Sequence, residues 1–273
     1  MKQLKNKSRH LPYLISSLMI ALVAGCGSGG GQDPILGVGA DVVAAPAGPG
    51  AGTALPAATC GTAGTPVDLG AAANFGVLVG PTGGATLTNN GLATLVNGDV
   101  GAASQVTPPA LGPGFTNYTG VDAPFVAAKA AMLTAITCAT ARPCDFNYGA
   151  ATDFATVVGL APGVHCVTGG MSVGSNLTLS TPGVYIFRST GALNTANTIN
   201  VAFGGTANDT NTSLYWVPSG AAAIGTNNAF LGTIMPDANA ATTLGANTTL
   251  LPGRAFSNSD VTLNTNTITR PTP

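Results

Sequence analysis

The sequence predicts an all-β solenoid, a right-handed three-sided β-helix with one long α-helix packed alongside. Three observations carry this. A short pattern returns about every 20 residues through the second half of the chain. The composition suits a thin, regular core. A single Ala-rich stretch breaks the β pattern.

The repeated unit is an apolar residue, then Gly or Asn, then small polar residues, then Thr or another apolar residue. It runs Val173-Gly174-Ser175-Asn176-Leu177 and Leu193-Asn194-Thr195-Ala196-Asn197-Thr198-Ile199. It returns as Ile224-Gly225-Thr226-Asn227-Asn228-Ala229-Phe230, Leu244-Gly245-Ala246-Asn247-Thr248-Thr249-Leu250 and Leu263-Asn264-Thr265-Asn266-Thr267-Ile268. The starts lie 20, 31, 20 and 19 residues apart. Such a period fits one coil of a three-sided β-helix, and the long gap marks an insertion of about 11 residues. That gap holds a polar loop running to Thr212, then the strand-like Leu214-Tyr215-Trp216-Val217. Segments such as Gly183-Val184-Tyr185-Ile186-Phe187 and Phe230-Leu231-Gly232-Thr233-Ile234 read as further strands. In the first half, Ala85-Thr86-Leu87-Thr88-Asn89-Asn90 and Val96-Asn97-Gly98-Asp99-Val100-Gly101 read as coil pieces.

Composition narrows the class. Only 7% of the 273 residues are charged, against about 25% in an average globular chain. With 45% hydrophobic residues and a mean hydropathy of +0.36 the chain should fold. The helix is expected at about 122–142. Asp122 stands as N-cap with Pro124 in the first turn, and Phe125, Val126, Met132, Leu133 and Ile136 fall near helical spacing.

The N-terminus reads as an address rather than part of the fold. Lys2, Lys5, Lys7 and Arg9 precede a short apolar run that ends Leu22-Val23-Ala24-Gly25-Cys26. This shape is a secretory signal, 1–25, and its end resembles a bacterial lipobox in which Cys26 is acylated. Export is expected, with the protein lipid-anchored at the cell envelope, by analogy at the outer membrane, or else extracellular, and without a spanning helix. Residues 26–63, rich in Gly, Ala and Pro, read as a flexible tether ahead of a folded domain at 64–270. Without the signal, five basic residues face ten Asp, a net charge of about −5. No basic patch remains for nucleic acid.

The ordered pieces resemble the microbial ice-binding (antifreeze) protein family with its discontinuous β-helix fold. The likeness runs from Val67-Asp68-Leu69-Gly70-Ala71-Ala72-Ala73-Asn74-Phe75-Gly76 through Val96-Asn97-Gly98-Asp99 and the Ala-rich helix. It continues with Leu160-Ala161-Pro162-Gly163-Val164-His165 and ends with Pro252-Gly253-Arg254-Ala255 to Val261-Thr262-Leu263-Asn264-Thr265-Asn266-Thr267-Ile268-Thr269. The resemblance implies adsorption to ice through a flat Thr/Asn-rich face, slowing ice growth and recrystallisation. It also implies a T-A/G-x-T/N motif on that face, which Thr195-Ala196-Asn197-Thr198 fits. Thr226-Asn227-Asn228-Ala229 and Ala246-Asn247-Thr248-Thr249 depart from it. The expected ice-binding residues are thus Thr195, Ala196, Asn197 and Thr198, flanked by Ser175, Thr226, Asn228, Thr248, Thr265 and Thr267.

A face of this kind needs no catalytic residue, cofactor or metal, and a monomer is expected. The same Thr and Asn also suit β-helix turns and internal ladders that serve stability alone. Ten Asp are scattered singly, and no Gly-x-Ser-x-Gly elbow or phosphate loop occurs, so polysaccharide-cleaving chemistry is not expected. The second reading is a surface adhesin or structural module that binds a polymer or another cell. Aromatics on the Thr/Asn face would favour it. Four cysteines remain beyond Cys26, and three pairings are possible. Nearness in sequence favours Cys138–Cys144 and Cys60–Cys166.

Overall fold

The computed structural model describes residues 60–272, except 63, 81–83 and 238. The signal 1–25, the lipid acceptor Cys26 and the tether up to residue 59 lie outside the described residues.

Among the described residues every strand pairing is parallel, in a twelve-, an eight- and a two-stranded sheet. The eight-stranded sheet runs, in spatial order, Ser104–Val106, Thr86–Asn89, Val261–Leu263, Thr242–Leu244, Ala222–Ile224, Leu193–Thr195, Met171–Val173 and Thr152–Asp153. Four of its strands are three-residue triplets, buried at both ends and open in the middle. That is the period of two a strand requires. Val261, Leu263, Ala222, Ile224, Met171 and Val173 thus enter the core.

In the twelve-stranded sheet, Thr249–Ser257 lies between Thr267–Thr269 and Ala229–Ile234. Thr212–Pro218, Gly183–Ser189, Gly163–Val167 and Phe146–Tyr148 follow. Phe75–Val79 pairs with the C-terminal half of Thr249–Ser257. Ala229–Ile234 and Thr249–Ser257 shift register between Phe230 and Gly232, next to Pro252. Gly232 (φ 101°) is needed there, since a Cβ would stand 2.7 Å from Leu214 Cγ. The early and late halves of these two strands therefore belong to differently packed parts of the sheet.

The early halves close over the internal core. There Phe154, Phe187, Trp216 and Phe230 stack in succession, with ring centroids 4.3, 4.6 and 5.2 Å apart. The buried Trp216 satisfies its Nε1–H on the Leu231 carbonyl at 2.9 Å. The later halves are covered on their other side by the helix Ala123–Ala141, so these strands are buried on both faces. Alanines at 128, 135 and 139 let the helix approach closely, while Phe125, Met132 and Ile136 fill the interface. Val126 does not join it and is 47% exposed. Asp122 stands at the N-cap but makes no side-chain cap bond, because its Oδ2 accepts from the Thr119 N–H.

At the other end of the helix, Arg188 donates to the carbonyls of Ala139, Thr140 and Arg142. A cation on the last carbonyls also opposes the negative end of the helix dipole. Arg142, itself buried, donates to the carbonyls of Cys60, Thr65 and Pro66. This pins the entering chain beside the helix, and the disulfides follow from it. Cys60 bonds Cys138, and Cys144 bonds Cys166. The expected pairs 138–144 and 60–166 are wrong. Arg142, extended before Pro143, ends the helix, and the chain then enters Phe146–Tyr148, which pairs with Gly163–Val167 and so brings Cys144 to Cys166.

The repeat is real but slips at one turn. Register partners Ala222, Thr242 and Val261 are 20 and 19 residues apart. Val173, however, pairs with Thr195 and not with Leu193. The insertion falls in the loop 204–211, where Asn208 Oδ1 accepts from the amides of Thr210 and Asn211.

Candidate functional site

At the corner following the eight-stranded sheet, one residue in each of four coils adopts left-handed backbone. These are Thr198 (φ 60°), Asn227 (56°), Asn247 (59°) and Thr265 (53°). Asn tolerates this region because its amide can bond locally, and Asn247 Nδ2 donates to Asn227 Oδ1 at 3.2 Å. The residue just after turns inward. Asn228, Thr248 and Asn266 are all buried, and their side chains link coil to coil. Asn228 Nδ2 donates to Thr195 Oγ1 (2.8 Å) and the Ala196 carbonyl (2.9 Å), and its Oδ1 accepts from the Ile199 N–H (2.9 Å). Thr248 Oγ1 accepts from the Asn228 amide and donates to the Gly225 carbonyl at 2.6 Å. Asn266 Nδ2 donates to the carbonyls of Gly245 and Thr248. The spine continues through the Thr94 hydroxyl to Asn89 Oδ1.

This geometry sorts the expected ice-binding residues. Asn228 and Thr248 belong to the internal spine and cannot touch an external surface. Thr195 occupies the inward position that Val173 holds one coil earlier, and its hydroxyl accepts from Gly225 N–H and Asn228 Nδ2. The assignment of Asn228 and Thr248 to an outer face is overturned, because the spine buries their polar atoms, while the half-buried Thr195 has its hydroxyl engaged in the same spine. Ser175, Ala196, Asn197, Thr198, Thr226 and Thr265 gather along the corner as a ridge. Thr267 lies on the outer side of the twelve-stranded sheet, beside Thr249 and Leu95.

A regular surface of small uncharged residues lies elsewhere, on the outer side of the eight-stranded sheet. Its central rank, fixed by register, is Val106, Thr88, Thr262, Thr243, Ala223, Asn194 and Ser172. These residues are exposed or half-exposed. The rank beside it carries Thr86 next to Asp260, then Ala241, Ala221, Ala192 and Gly170, each one residue before its strand's first inward side chain. Small side chains keep this side level. Asp260 interrupts the second rank, where its Oδ1 accepts from the Thr86 N–H at 2.8 Å. From Val106 to Ser172 the central rank holds no charge and no aromatic ring. Asp153 closes its far end and accepts from the amides of Gly174 and Ala155. Sequence reading missed this rank. Its signal was the middle residue of each buried-x-buried triplet before the corner, as in Val261-Thr262-Leu263.

The buried His165 stacks on Phe146, with centroids 4.5 Å apart. Its Nδ1 meets the Tyr148 hydroxyl at 3.0 Å and its Nε2 meets the Ala161 carbonyl at 2.9 Å. A carbonyl only accepts, so Nε2 donates to it, and both ring nitrogens are engaged. Burial lowers its pKa. Burial also lowers the pKa of Arg254, to about 10. Its guanidinium donates to the Ala73 carbonyl at 2.8 Å and so holds the 3-10 helix Gly70–Asn74.

The molecule is therefore a stacked parallel-β protein with one covering helix, a level uncharged threonine rank and an internal Asn/Thr spine. The chain belongs to the ice-binding-like family, whose sequence pattern matches residues 82–269. Solved structures agree. An ice-binding protein from an Antarctic biological consortium shares 29% identity at a TM-score of 0.64, over 76% of this chain and 93% of that one. One from the Antarctic ascomycete Antarctomyces psychrotrophicus shares 26% at 0.63, over 77% and 100%. One from an Antarctic bacterium of the Flavobacteriaceae shares 28% at 0.62, and the match spans 75% of this chain but 47% of that longer one. No curated protein sequence matches the chain.

Proposed function

We propose that this chain adsorbs to ice through the outer side of the eight-stranded sheet and so restrains ice growth and recrystallisation. The observation that carries the reading is the central rank from Val106 to Ser172, with three successive Thr at 88, 262 and 243. Strands in such a stack lie about 4.8 Å apart, close to a repeat of the ice lattice. Each Thr can hold a water with its hydroxyl while its methyl group keeps neighbouring water ordered. Its β-branched side chain has few rotamers to lose. Adsorption sums many weak contacts, so flatness and regularity matter more than any one residue. The ice-binding proteins it resembles support the same reading.

The coil is a right-handed, three-sided β-helix in this reading. The exported chain is held at the outer membrane by acylated Cys26, acts as a monomer, and uses no cofactor. Binding of a polymer or another cell has less support, because Trp216 and Tyr215 are both buried and no aromatic ring lies in the central rank.

The test is ice-crystal shaping and recrystallisation inhibition by the full-length, oxidised chain beside a Thr243→Tyr, Thr262→Tyr double variant. Faceted crystals with the native chain, and loss of most of the activity in a folded variant, are expected. A native chain that leaves crystals as growing discs refutes the ice reading and sends the search to glycans and cell surfaces.

A further inference from the structure

Across the corner from the eight-stranded sheet, each coil continues into the early part of the twelve-stranded sheet, and that side too is uncovered. Its outward rank, in register, is Leu95, Thr267, Thr249 and Ala229, followed by Asn200 through an isolated bridge. Ile268, Leu250 and Phe230 alternate inward and are buried. On Thr267–Thr269 both threonines face out, as do Thr86 and Thr88 on the first side. Asn97 Nδ2 donates to Thr269 Oγ1 at 3.0 Å, which fixes a second rank beside the first. The exposed Leu251 (52%) adds an apolar element that the packing leaves unburied. None of these residues is charged or aromatic. The helix, with its interface of Phe125, Met132 and Ile136, covers the later strand halves instead.

We infer that this side is a second ice-adsorbing surface, meeting the first along the corner ridge of Ala196, Asn197, Thr198, Thr226 and Thr265. The inference rests on the ice reading of the first side. Two level sides that meet at an angle cannot lie on one lattice plane. The protein would therefore engage two sets of crystal planes, the second through Thr249, Thr267 and Thr269. The occupant is ice and not a protein because the side continues the first surface coil by coil. It also has parallel strands in the same stack, and its outward rank from Leu95 to Asn200 holds no charge or ring, the Arg270–Phe115 pair lying beyond Asn97 at its edge.

The experiment grows single ice crystals in the presence of the fluorescently labelled full-length chain and maps which planes are coated. It compares the native chain with Thr243→Tyr, Thr267→Tyr and the double variant, each with an unchanged unfolding midpoint. A milder variant, Thr267→Val with Thr269→Val, keeps the side-chain volume should the Tyr disturb the coil. Two coated sets are expected for the native chain, one different set lost in each single variant, and none coated by the double variant. A Thr267→Tyr or Val-pair chain that coats the native planes, while Thr243→Tyr coats none, overturns the second surface and leaves the first standing. If only the Thr267 variants change the pattern, one surface does all the binding, and the two-surface inference falls. Native protein that coats no plane refutes the ice reading itself.

Discussion

Asn228 illustrates how a polar residue can be worth more inside than out. Its side chain serves Thr195, Ala196 and Ile199, and its amide meets Thr248. Asn228→Ala would strand buried donors and acceptors at about 1–3 kcal/mol each. Urea unfolding should register that loss, while the protein that stays folded keeps its effect on ice. Thr→Tyr changes in the central rank should do the opposite. A surface role for Asn228 would show as lost ice activity at unchanged stability. His165 gives a pH signature. Its pKa is lowered in the folded state, so below about pH 6.5 the unfolded chain binds more protons than the native one. Stability should hold above that pH and decline as pH falls toward the folded pKa. His165→Gln should remove this part of the decline. Equal slopes for both proteins between pH 6.5 and 5 would contradict a pKa lowered by burial of this ring.

Among the elements, the short strands of the eight-stranded sheet carry the proposed surface, and their register makes a forecast. Ala223 interrupts a run that otherwise reads Thr88, Thr262, Thr243. Ala223→Thr should extend the run by one and raise thermal hysteresis at equal concentration, as read by nanolitre osmometry. A fall would mean that the small residue is needed there. Much at this scale was legible in the sequence. The helix showed in its Ala-rich spacing and in Pro124, and the strands showed in their apolar alternation. The face was less so. The Gly/Asn corners are the most repetitive feature of the sequence, so they draw the eye to Thr195, Asn228 and Thr248. The residues that point outward sit just upstream, each between two inward side chains. The two-residue slip at Thr195 is invisible without pairing, because Leu193 and Thr195 both point inward. The disulfides were illegible for a similar reason. Distance along the chain says nothing about the parallel pairing that carries Cys144 to Cys166.

For the whole molecule, the order of strands in space is not their order in the chain. Thr86–Asn89 lies beside Val261–Leu263, and Leu95–Asn97 beside Thr267–Thr269. The early coil pieces thus stack on the last ones, while the helix leads to Phe146–Tyr148 at the far edge of the twelve-stranded sheet. Removing residues 261–273 should therefore expose Leu87 and Val96, which lie 174 and 165 residues upstream of the cut. Limited proteolysis of the shortened chain should cut first between residues 84 and 111, and an uncut N-terminal part would contradict the stacking. The same arrangement bears on how the protein comes into being. Any process that delivers the chain from its N-terminus releases Thr86–Asn89 and Leu95–Asn97 long before their neighbours exist. Loop closure over so long a stretch is slow. Assembly must wait for nearly the last strand, and until then the early pieces depend on the sparing use of large apolar residues to stay free of wrong partners.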